Sequence, residues 1–360
     1  MIVFIYGTTA EAIKVAPVAR RLDALGVPYE QWLTFQHTKA LRKILPSLGL
    51  RQPDRVIADG RNGRPLRSSF DVIPWLLSGL GWLRRNRKEL RRSLPPGSVV
   101  IVHGDTLTTV LGAWIARRLG VPSAHIEAGL RSGNWRHPFP EELDRRAVGK
   151  LASIHYAPSH EAVEHLAGRP NVVHTHGNTA IDAVLDQTDT TVDGGEQWGI
   201  VLLHRFEFIS NKTLVEQTLA ALAEASPYPV RFFVDEFAKE AIVAAAPRDS
   251  SDKLQVQGKL SHEEFITTLR NAQFVVTDSG GIQAEAALLG TPTLIHRKAT
   301  EQREGIGENI VLSEWRIDRL TDFLRDHAAY RRPVNRPAQS PSDIIIEDLT
   351  SRGMVIPAST

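Results

Sequence analysis

Short apolar runs alternate with longer segments of helical periodicity along most of the chain. The predicted strands are Ile2–Tyr6, Tyr29–Phe35, Val99–His103 and Ser123–Glu127, and then Gly199–Leu203, Val230–Val234, Leu254–Gln257, Phe274–Thr277 and Thr293–His296. Strands that are apolar on both faces and alternate with helices are typical of a parallel sheet covered on both sides. The pattern therefore predicts an α/β protein.

The helical segments fall between these strands. They are predicted at Ala10–Leu25, Lys39–Leu48, Thr108–Leu119 and Lys212–Ala225, with a longer helical region at Ser69–Leu94 that Gly79 and Gly81 interrupt. Ser340–Asp343 has the character of a helix start before the apolar stretch Ile344–Leu349.

A polar, glycine-containing stretch at Leu185–Trp198 divides the alternating pattern into two similar halves. With 360 residues, the chain has the length of two domains. We predict two Rossmann-like, doubly wound parallel-sheet domains at residues 1–185 and 186–338, and a C-terminal helix at 339–360 that packs back across them. Ligands of such sheets bind beyond the carboxyl ends of the strands, so the expected site is a cleft between the domains.

Composition excludes several classes of protein. Forty-three basic residues against 41 acidic residues leave a net charge of +2, which gives no support for nucleic-acid binding. No apolar run approaches the roughly 18 residues of a membrane span. The chain has no cysteine, which excludes disulfides, Fe–S clusters, cysteine–zinc sites and a cysteine nucleophile. A reducing, cytoplasmic location is the resulting expectation.

Polar residues stand at the predicted strand ends of the first half. The turn Gly7–Lys14 leads from a strand into a helix, which suits either a bound phosphate or an ordinary capped turn. Asp105 follows a buried strand, where it is either the N-cap of the next helix or a carboxylate that faces a ligand.

Glu127 ends another strand, and Glu141 and Arg145 lie four residues apart at the start of a helix. One interpretation is a salt bridge with helix-start carboxylates. We favour a second one, in which Asp105, Glu127 and Glu141 form a group. Grouped carboxylates raise one another's pKa, which prepares one as a base and another as an acid.

The second half has its own polar strand ends. His204 follows the first strand as either a core group or a ligand-facing imidazole. The segment Asp278–Ala286 runs from a strand through Ser279, Gly280 and Gly281 into a helix, a sequence typical of a diphosphate site. Glu285 follows at a distance that suits a ribose diol, and the charged loop Arg297–Glu304 comes after another strand.

Six motifs in order resemble those of the UDP-N-acetylglucosamine 2-epimerase family. They are G-T-x-x-E-A-I-K at Gly7–Lys14, H-G-D-T at His103–Thr106, H-x-E-A-G-L-R at His125–Arg131, P-F-P-E-E at Pro138–Glu142, G-N-T-x-I-D-A at Gly177–Ala183 and D-S-G-G-I-Q-x-E-A at Asp278–Ala286. The resemblance implies a glycosyltransferase-B type fold and C2 epimerisation of a UDP-N-acetylhexosamine through UDP elimination and a glycal.

The resemblance also implies roles for individual residues. The acid–base candidates are Asp105, Glu127, Glu141 and His204, and His204 is alternatively a contact of the diphosphate. The substrate-binding candidates are Lys14, Arg145, Arg205, Ser279, Gly280, Gly281, Glu285 and Thr300. The implied ligands are a UDP-sugar and UDP, with no cofactor and no metal. A homodimer is the candidate assembly.

Departures from the family pattern keep other outcomes open. Thr9 stands where the family usually has Arg, Ala284 replaces a family Glu, and Phe206 and Phe208 interrupt the family's H-R-R-E-N motif. Apolar side chains at Phe206 and Phe208 would suit an acceptor pocket. The alternatives are therefore a hydrolysing epimerase, a glycosyltransferase that uses a small acceptor, and a non-catalytic nucleotide-sugar binder. The three carboxylates argue against the last.

Overall fold

The computed structural model of the chain describes residues 1–35, 38–59, 69–131, 141–186, 197–234, 236–247, 253–258, 260–300 and 304–357. The chain divides into two compact units. Unit 1 comprises residues 1–186 and 337–360, and unit 2 comprises residues 187–336. The linker predicted at Leu185–Trp198 lies largely outside the described residues, as do Gln36 and His37.

The described part of unit 1 contains a seven-stranded parallel sheet of order β3-β2-β1-β4-β5-β6-β7. The strands are β1 (Ile2–Tyr6), β2 (Tyr29–Leu33), β3 (Arg55–Val56), β4 (Val99–His103), β5 (Ser123–Ile126), β6 (Ile154–Ala157) and β7 (Val172–His174). Every residue of β1 and β4 is buried, as expected of central strands covered on both faces. The strand order reverses between β1 and β4, and in such sheets this is where ligands bind.

The helices of unit 1 connect these strands. They are α1 (Thr9–Ala24), α2 (Thr38–Ile44), α3 (Ser69–Ser93), α4 (Leu107–Leu119), α5 (Glu141–Leu151), α6 (His160–Glu164) and α7 (Ala180–Leu185). α1 begins with a capping box, because the Thr8 side chain accepts from the Glu11 N–H while the Glu11 carboxylate accepts from the Thr8 N–H.

Two helix predictions need correction. The helix predicted at Lys39–Leu48 ends at Ile44, and a 3₁₀ turn follows at Pro46–Leu48, because proline has no N–H to continue the helical ladder. α3 runs without interruption through Gly79 and Gly81. A Cβ at Gly79 would lie 3.0 Å from Leu111 Cδ2 of α4, so this glycine lets the two helices pack closely, which offsets its low helix propensity.

Unit 2 repeats the architecture. Its described residues form a six-stranded parallel sheet of order β10-β9-β8-β11-β12-β13. The elements are β8 (Gly199–Leu202), α8 (Phe206–Ile209), α9 (Lys212–Ala225), β9 (Val230–Phe233), α10 (Glu236–Ala245), β10 (Leu254–Gln257), α11 (His262–Asn271), β11 (Phe274–Thr277), α12 (Gly280–Leu289), β12 (Thr293–Ile295), β13 (Ile310–Leu312) and α13 (Ile317–Asp326). The prediction of an α/β protein with two doubly wound parallel sheets is confirmed.

The last helix, α14 (Pro341–Ser351), packs on α1 and α7 of unit 1. Arg21 of α1 donates to Asp343 and, at 2.9 Å, to the Ser340 hydroxyl, and the buried Asp182 of α7 accepts from the Ser342 N–H at 2.8 Å. The C-terminal segment thus belongs to the core of unit 1. No helix in the described part of the chain has both the length and the apolar character needed to cross a bilayer.

One glycine of unit 2 is fixed by close packing. A Cβ at Gly199 would lie 2.2 Å from Phe274 Cζ, and the Phe274 ring is itself held edge-on against Phe323 and His327. We expect Gly199→Ala to lower the free energy of unfolding by about 1–3 kcal/mol, as overpacking does in a dense core. Denaturant titration of the purified protein measures this change.

Gly258→Ala is the matched control, because a Cβ at Gly258 meets no atom within 4 Å. Equal denaturation midpoints for the two variants would contradict the close packing of Gly199 on Phe274.

Candidate active site

The carboxyl ends of β1 and β4 are joined by the buried carboxylate of Glu11. Its Oε2 accepts from the N–H groups of Gly7 at 3.0 Å and Thr8 at 2.8 Å, and its Oε1 accepts from the Thr106 hydroxyl at 2.8 Å. Because Gly7 and Thr8 donate to Glu11, these two N–H groups do not bind a phosphate. The capped-turn interpretation of Gly7–Lys14 is therefore the right one at these two residues.

Glu127 lies directly after β5 with a left-handed backbone, at φ 67°. This conformation is uncommon for a residue with a Cβ and costs about 1–3 kcal/mol, so the surrounding structure has to impose it. The Glu127 Oε2 accepts from Lys14 Nζ at 2.8 Å and lies 3.3 Å from His103 Nε2. The side chain of Glu127 thus points back toward the ends of β1 and β4.

The charge state of Glu127 differs from the expectation for grouped carboxylates. Burial favours a higher pKa, but the ammonium of Lys14, together with His103 and a hydrogen bond from Asn178, lowers the pKa of Glu127 to about 2. Burial also lowers the pKa of His103 to about 3, so its imidazole is neutral. The prediction of a raised pKa is wrong at Glu127, because its nearest charged neighbour is a cation.

Asp105 is not the N-cap of α4. Thr106 occupies that position and accepts from the Thr109 N–H at 3.2 Å. Asp105 instead accepts from Arg145 Nη2 at 2.5 Å, so it is tied to α5. Gly104 precedes it, and a Cβ there would lie 3.9 Å from Glu127 Oε2. The turn at Gly104–Asp105 thus lies beside both Glu127 and α5.

Arg145 does not pair with Glu141, although the two residues are four apart. Its second partner is the fully buried Glu142, at 3.6 Å. The Oε2 atom of Glu141 is buried and has no hydrogen-bond partner among the described residues. Two carboxyl groups on one edge of unit 1 therefore differ sharply, since Glu127 is held ionised by a cation while Glu141 has an oxygen available to a ligand.

The corresponding edge of unit 2 is organised by Asp278. This buried carboxylate follows β11, and its Oδ2 accepts from the N–H groups of His204 at 3.0 Å and Arg205 at 2.9 Å. Burial raises the pKa of Asp278, although these hydrogen bonds oppose the shift. The His204 Nδ1 lies 3.3 Å from Asp278 Oδ1, and the imidazole is 40% exposed. His204 and Arg205 are thereby fixed at the end of β8.

Ser279, Gly280 and Gly281 open α12, as predicted. The Ser279 side chain makes no capping hydrogen bond, and a Cβ at Gly281 would meet only Ser279 Oγ within 4 Å. Glu285, one and a half turns later, lies 3.2 Å from the Nε2 atom of His262. A helix N-terminus with an uncommitted hydroxyl suits an anionic ligand.

One expectation in unit 2 stays a prediction and another needs correction. The Thr300 hydroxyl donates to Gln283 Oε1 at 3.0 Å, and its assignment to substrate binding stays a prediction. Phe208 is 1% exposed and lies in the unit-2 core, edge-on to His296, so it shapes no acceptor pocket. The side chain of Phe206 and residues Glu301–Arg303 lie outside the described residues.

Four residues near these groups were not selected from the sequence, although each lies within or beside a quoted motif. They are Glu11, His103, Asp144 and Asp278. Glu11, His103 and Asp278 are buried and Asp144 is largely so. The sequence did contain a signal for them, because each is a polar residue within or beside a motif. Among the described residues, no group of three or more acidic, His or Cys side chains is arranged to hold a metal ion.

Known proteins share both the sequence and the architecture. The profile of the family described as UDP-N-acetylglucosamine 2-epimerase matches residues 88–337. A Ralstonia nicotianae protein named as a probable UDP-N-acetylglucosamine 2-epimerase is 32% identical over 360 residues, covering 91% of this chain and 92% of that protein. The UDP-N-acetylglucosamine 2-epimerase of Yersinia pestis is 30% identical, with 91% of each chain covered.

A solved structure agrees with these matches. The S. aureus MnaA structure with UDP superposes with a TM-score of 0.74 at 25% identity, covering 100% of this chain and 98% of that one. With a profile match over residues 88–337 and relatives at 30% identity or more over most of their length, the chain belongs to the UDP-N-acetylglucosamine 2-epimerase family.

Proposed function

We propose that this protein catalyses the reversible epimerisation of UDP-N-acetylglucosamine at C2 through elimination of UDP and a 2-acetamidoglucal intermediate. The observation that carries the proposal is the contrast between two carboxyl groups of unit 1. Glu127 is ionised beside Lys14, whereas the buried Oε2 of Glu141 has no hydrogen-bond partner among the described residues. The names of the relatives support the choice of substrate.

The reaction needs a proton acceptor on one face of the sugar and a proton donor on the other. In the first step the C2 proton is removed, its electron pair forms the C1–C2 double bond, and the C1–O bond breaks as UDP leaves. In the second step a UDP oxygen re-forms the bond to C1, and C2 takes a proton from the opposite face. Each acid–base group contributes roughly 100- to 10,000-fold to such a step.

We assign the exchange of the C2 proton to Glu141, with Asp105 as the second acid–base group. A proton-transfer group works best with a pKa near the working pH, and a pKa of about 2 makes Glu127 a weak base. Its permanent negative charge instead stabilises the positive charge that develops at C1 as UDP departs. Lys14 and Arg145 keep Glu127 and Asp105 in place.

We assign the UDP moiety to unit 2. The first turn of α12 with Ser279, Gly280 and Gly281, and the cationic side chain of Arg205, suit the diphosphate. His204 lies next to them and is the candidate acid for the leaving oxygen. Glu285 accepts from the ribose diol while His262 holds its other side. The alternatives of sugar transfer or hydrolysis lose the support of Phe208, which is buried in the core.

We also propose a cytoplasmic homodimer. The absence of cysteine is typical of a reducing compartment. α3 exposes Ile73 and Leu77 by 60% and 61%, and exposed apolar residues on one helix favour self-association. Sedimentation equilibrium gives the assembly directly.

Incubation with UDP-N-acetylglucosamine in deuterated water tests the reaction. We expect deuterium at C2 of both UDP-sugars, with little free UDP. Glu141→Gln removes the proposed proton acceptor and is expected to lower the exchange rate at least about 100-fold. Glu127→Gln is expected to slow UDP elimination and deuterium exchange together.

Glu161→Gln is the control, because Glu161 is an exposed carboxylate on α6 of the same unit. Full activity of Glu141→Gln would refute its assignment as the proton acceptor, and full activity of Glu127→Gln would refute the electrostatic role of Glu127. Rapid release of UDP with a free sugar as the product would instead establish the hydrolytic alternative.

The assignment of UDP to unit 2 predicts a loss of affinity for UDP itself. Ser279→Ala removes one hydrogen bond and is expected to weaken UDP binding by about 2- to 12-fold, and His204→Ala by a similar factor or more. Isothermal titration with UDP measures both. Thr321→Ala is the matched control, because among the described residues the Thr321 hydroxyl bonds only to the Ile317 carbonyl within α13. Unchanged UDP affinity in both variants would place the nucleotide elsewhere.

A further inference from the structure

Asp144 lies on α5 one turn after Glu141 and next to Arg145, which binds Asp105, yet no step of the proposed reaction uses it. Its side chain is largely buried, with the residue only 8% exposed. Its carboxyl group has neither a hydrogen bond nor an ion pair among the described residues. Buried carboxylates are nearly always paired, so an unpaired one needs an explanation.

The contrast with the neighbouring acid shows that the pairing is selective. Glu142, two residues earlier, is fully buried and pairs with Arg145 at 3.6 Å and with Arg146 at 3.1 Å. Arg145 in turn donates to Asp105. The two arginines that follow Asp144 on this helix are therefore engaged by Asp105 and Glu142, and Asp144 pairs with neither.

The groups that act on Asp144 are negative. Glu141 lies one turn earlier on the same face of α5, and Asp105 is held against the helix by Arg145. Both act electrostatically on Asp144. Among the elements packed on α5, α4 has its basic residues, Arg117 and Arg118, in its last turn, and β5 contributes the buried His125, whose pKa is lowered to about 4 by burial.

This environment disfavours the ionised carboxylate. Burial contributes most, followed by Asp105 and then Glu141, and together they raise the pKa of Asp144 to about 7. A carboxyl group of this kind is uncharged below neutral pH and charged above it. A strongly shifted titration beside acid–base residues is typical of a functional position.

We propose that Asp144 is a positioning residue. While its carboxyl group is uncharged, the region around Asp105 and Glu141 binds an anionic nucleotide sugar and acts on it. When Asp144 ionises, the enzyme is less active. The inference rests on the proposed function. Ionised Asp144 adds a negative charge beside Asp105 and Glu141. The same charge repels the diphosphate of the substrate.

The pH dependence of kcat/KM tests this role. Asp144→Asn keeps the shape of the uncharged acid and cannot ionise. Wild-type protein is expected to lose kcat/KM above pH about 7, by up to about tenfold per pH unit, mainly through KM. Asp144→Asn is expected to lack this descending limb while matching wild type within about threefold at pH 6.

Asp23→Asn is the control, because it removes the same charge from an exposed site on α1 of the same unit. Asp23→Asn is expected to lose kcat/KM above pH about 7 as wild type does. If Asp144→Asn loses kcat/KM above pH about 7 to the same extent as wild type, the proposal is overturned. Inactivity at pH 6 of a variant that still binds UDP with wild-type affinity also overturns it. Asp144→Ser, a smaller uncharged variant, must give the same profile as Asp144→Asn.

A stability measurement separates this proposal from the proposed function. The folded pKa lies above the unfolded value of 3.8, so the folded protein binds the Asp144 proton more tightly than the unfolded chain does. The contribution of this proton to the free energy of unfolding is fully present below pH about 4 and is lost as pH rises to about 7. Between pH about 4 and 7, the melting temperature of wild type is therefore expected to fall relative to that of Asp144→Asn. Above pH about 7, the gap between the two melting temperatures is expected to stay constant.

A gap that does not change between pH 4 and 8 overturns the titration of Asp144, whatever reaction the protein catalyses. A gap that opens as expected, in a protein that does not exchange deuterium at C2, refutes the proposed function instead.

Discussion

The buried carboxylate of Glu11 holds together the turns that follow β1 and β4, the second of which contains Asp105, one of the two proposed acid–base residues. A buried carboxylate costs several kcal/mol unless hydrogen bonds replace its water. Gly7, Thr8 and Thr106 supply those bonds, and they come from the ends of both β1 and β4. Lys14, one turn further along α1, is thereby brought to Glu127.

Unit 2 uses the same device with a different acid. Asp278 follows β11 and accepts the N–H groups of His204 and Arg205 at the end of the neighbouring β8. Parallel strands direct their carboxyl ends to one edge, where the backbone leaves the ladder and has unpaired N–H groups. In both units a buried carboxylate, Glu11 or Asp278, accepts hydrogen bonds from these N–H groups. The other polar side chains at the strand ends are then available to a ligand.

Similar carboxyl groups on the edge of unit 1 acquire opposite properties from their neighbours. Lys14 holds the pKa of Glu127 at about 2, whereas burial and nearby anions raise the pKa of Asp144 to about 7. The difference separates a permanent anion from a group that titrates near neutral pH.

The sequence by itself determined the two parallel sheets, because strands buried on both faces leave continuous apolar runs such as Ile2–Tyr6. It also placed Asp105, Glu127, His204 and Ser279 at strand or helix ends, and its ordered motifs indicated the family. Only the tertiary structure decided the partners. Arg145 binds Asp105, 40 residues away, rather than Glu141 on its own helix, and Glu127 binds Lys14, 113 residues away. Charge pairing depends on distances of a few ångströms set by packing between elements, and no local pattern along the chain encodes those distances.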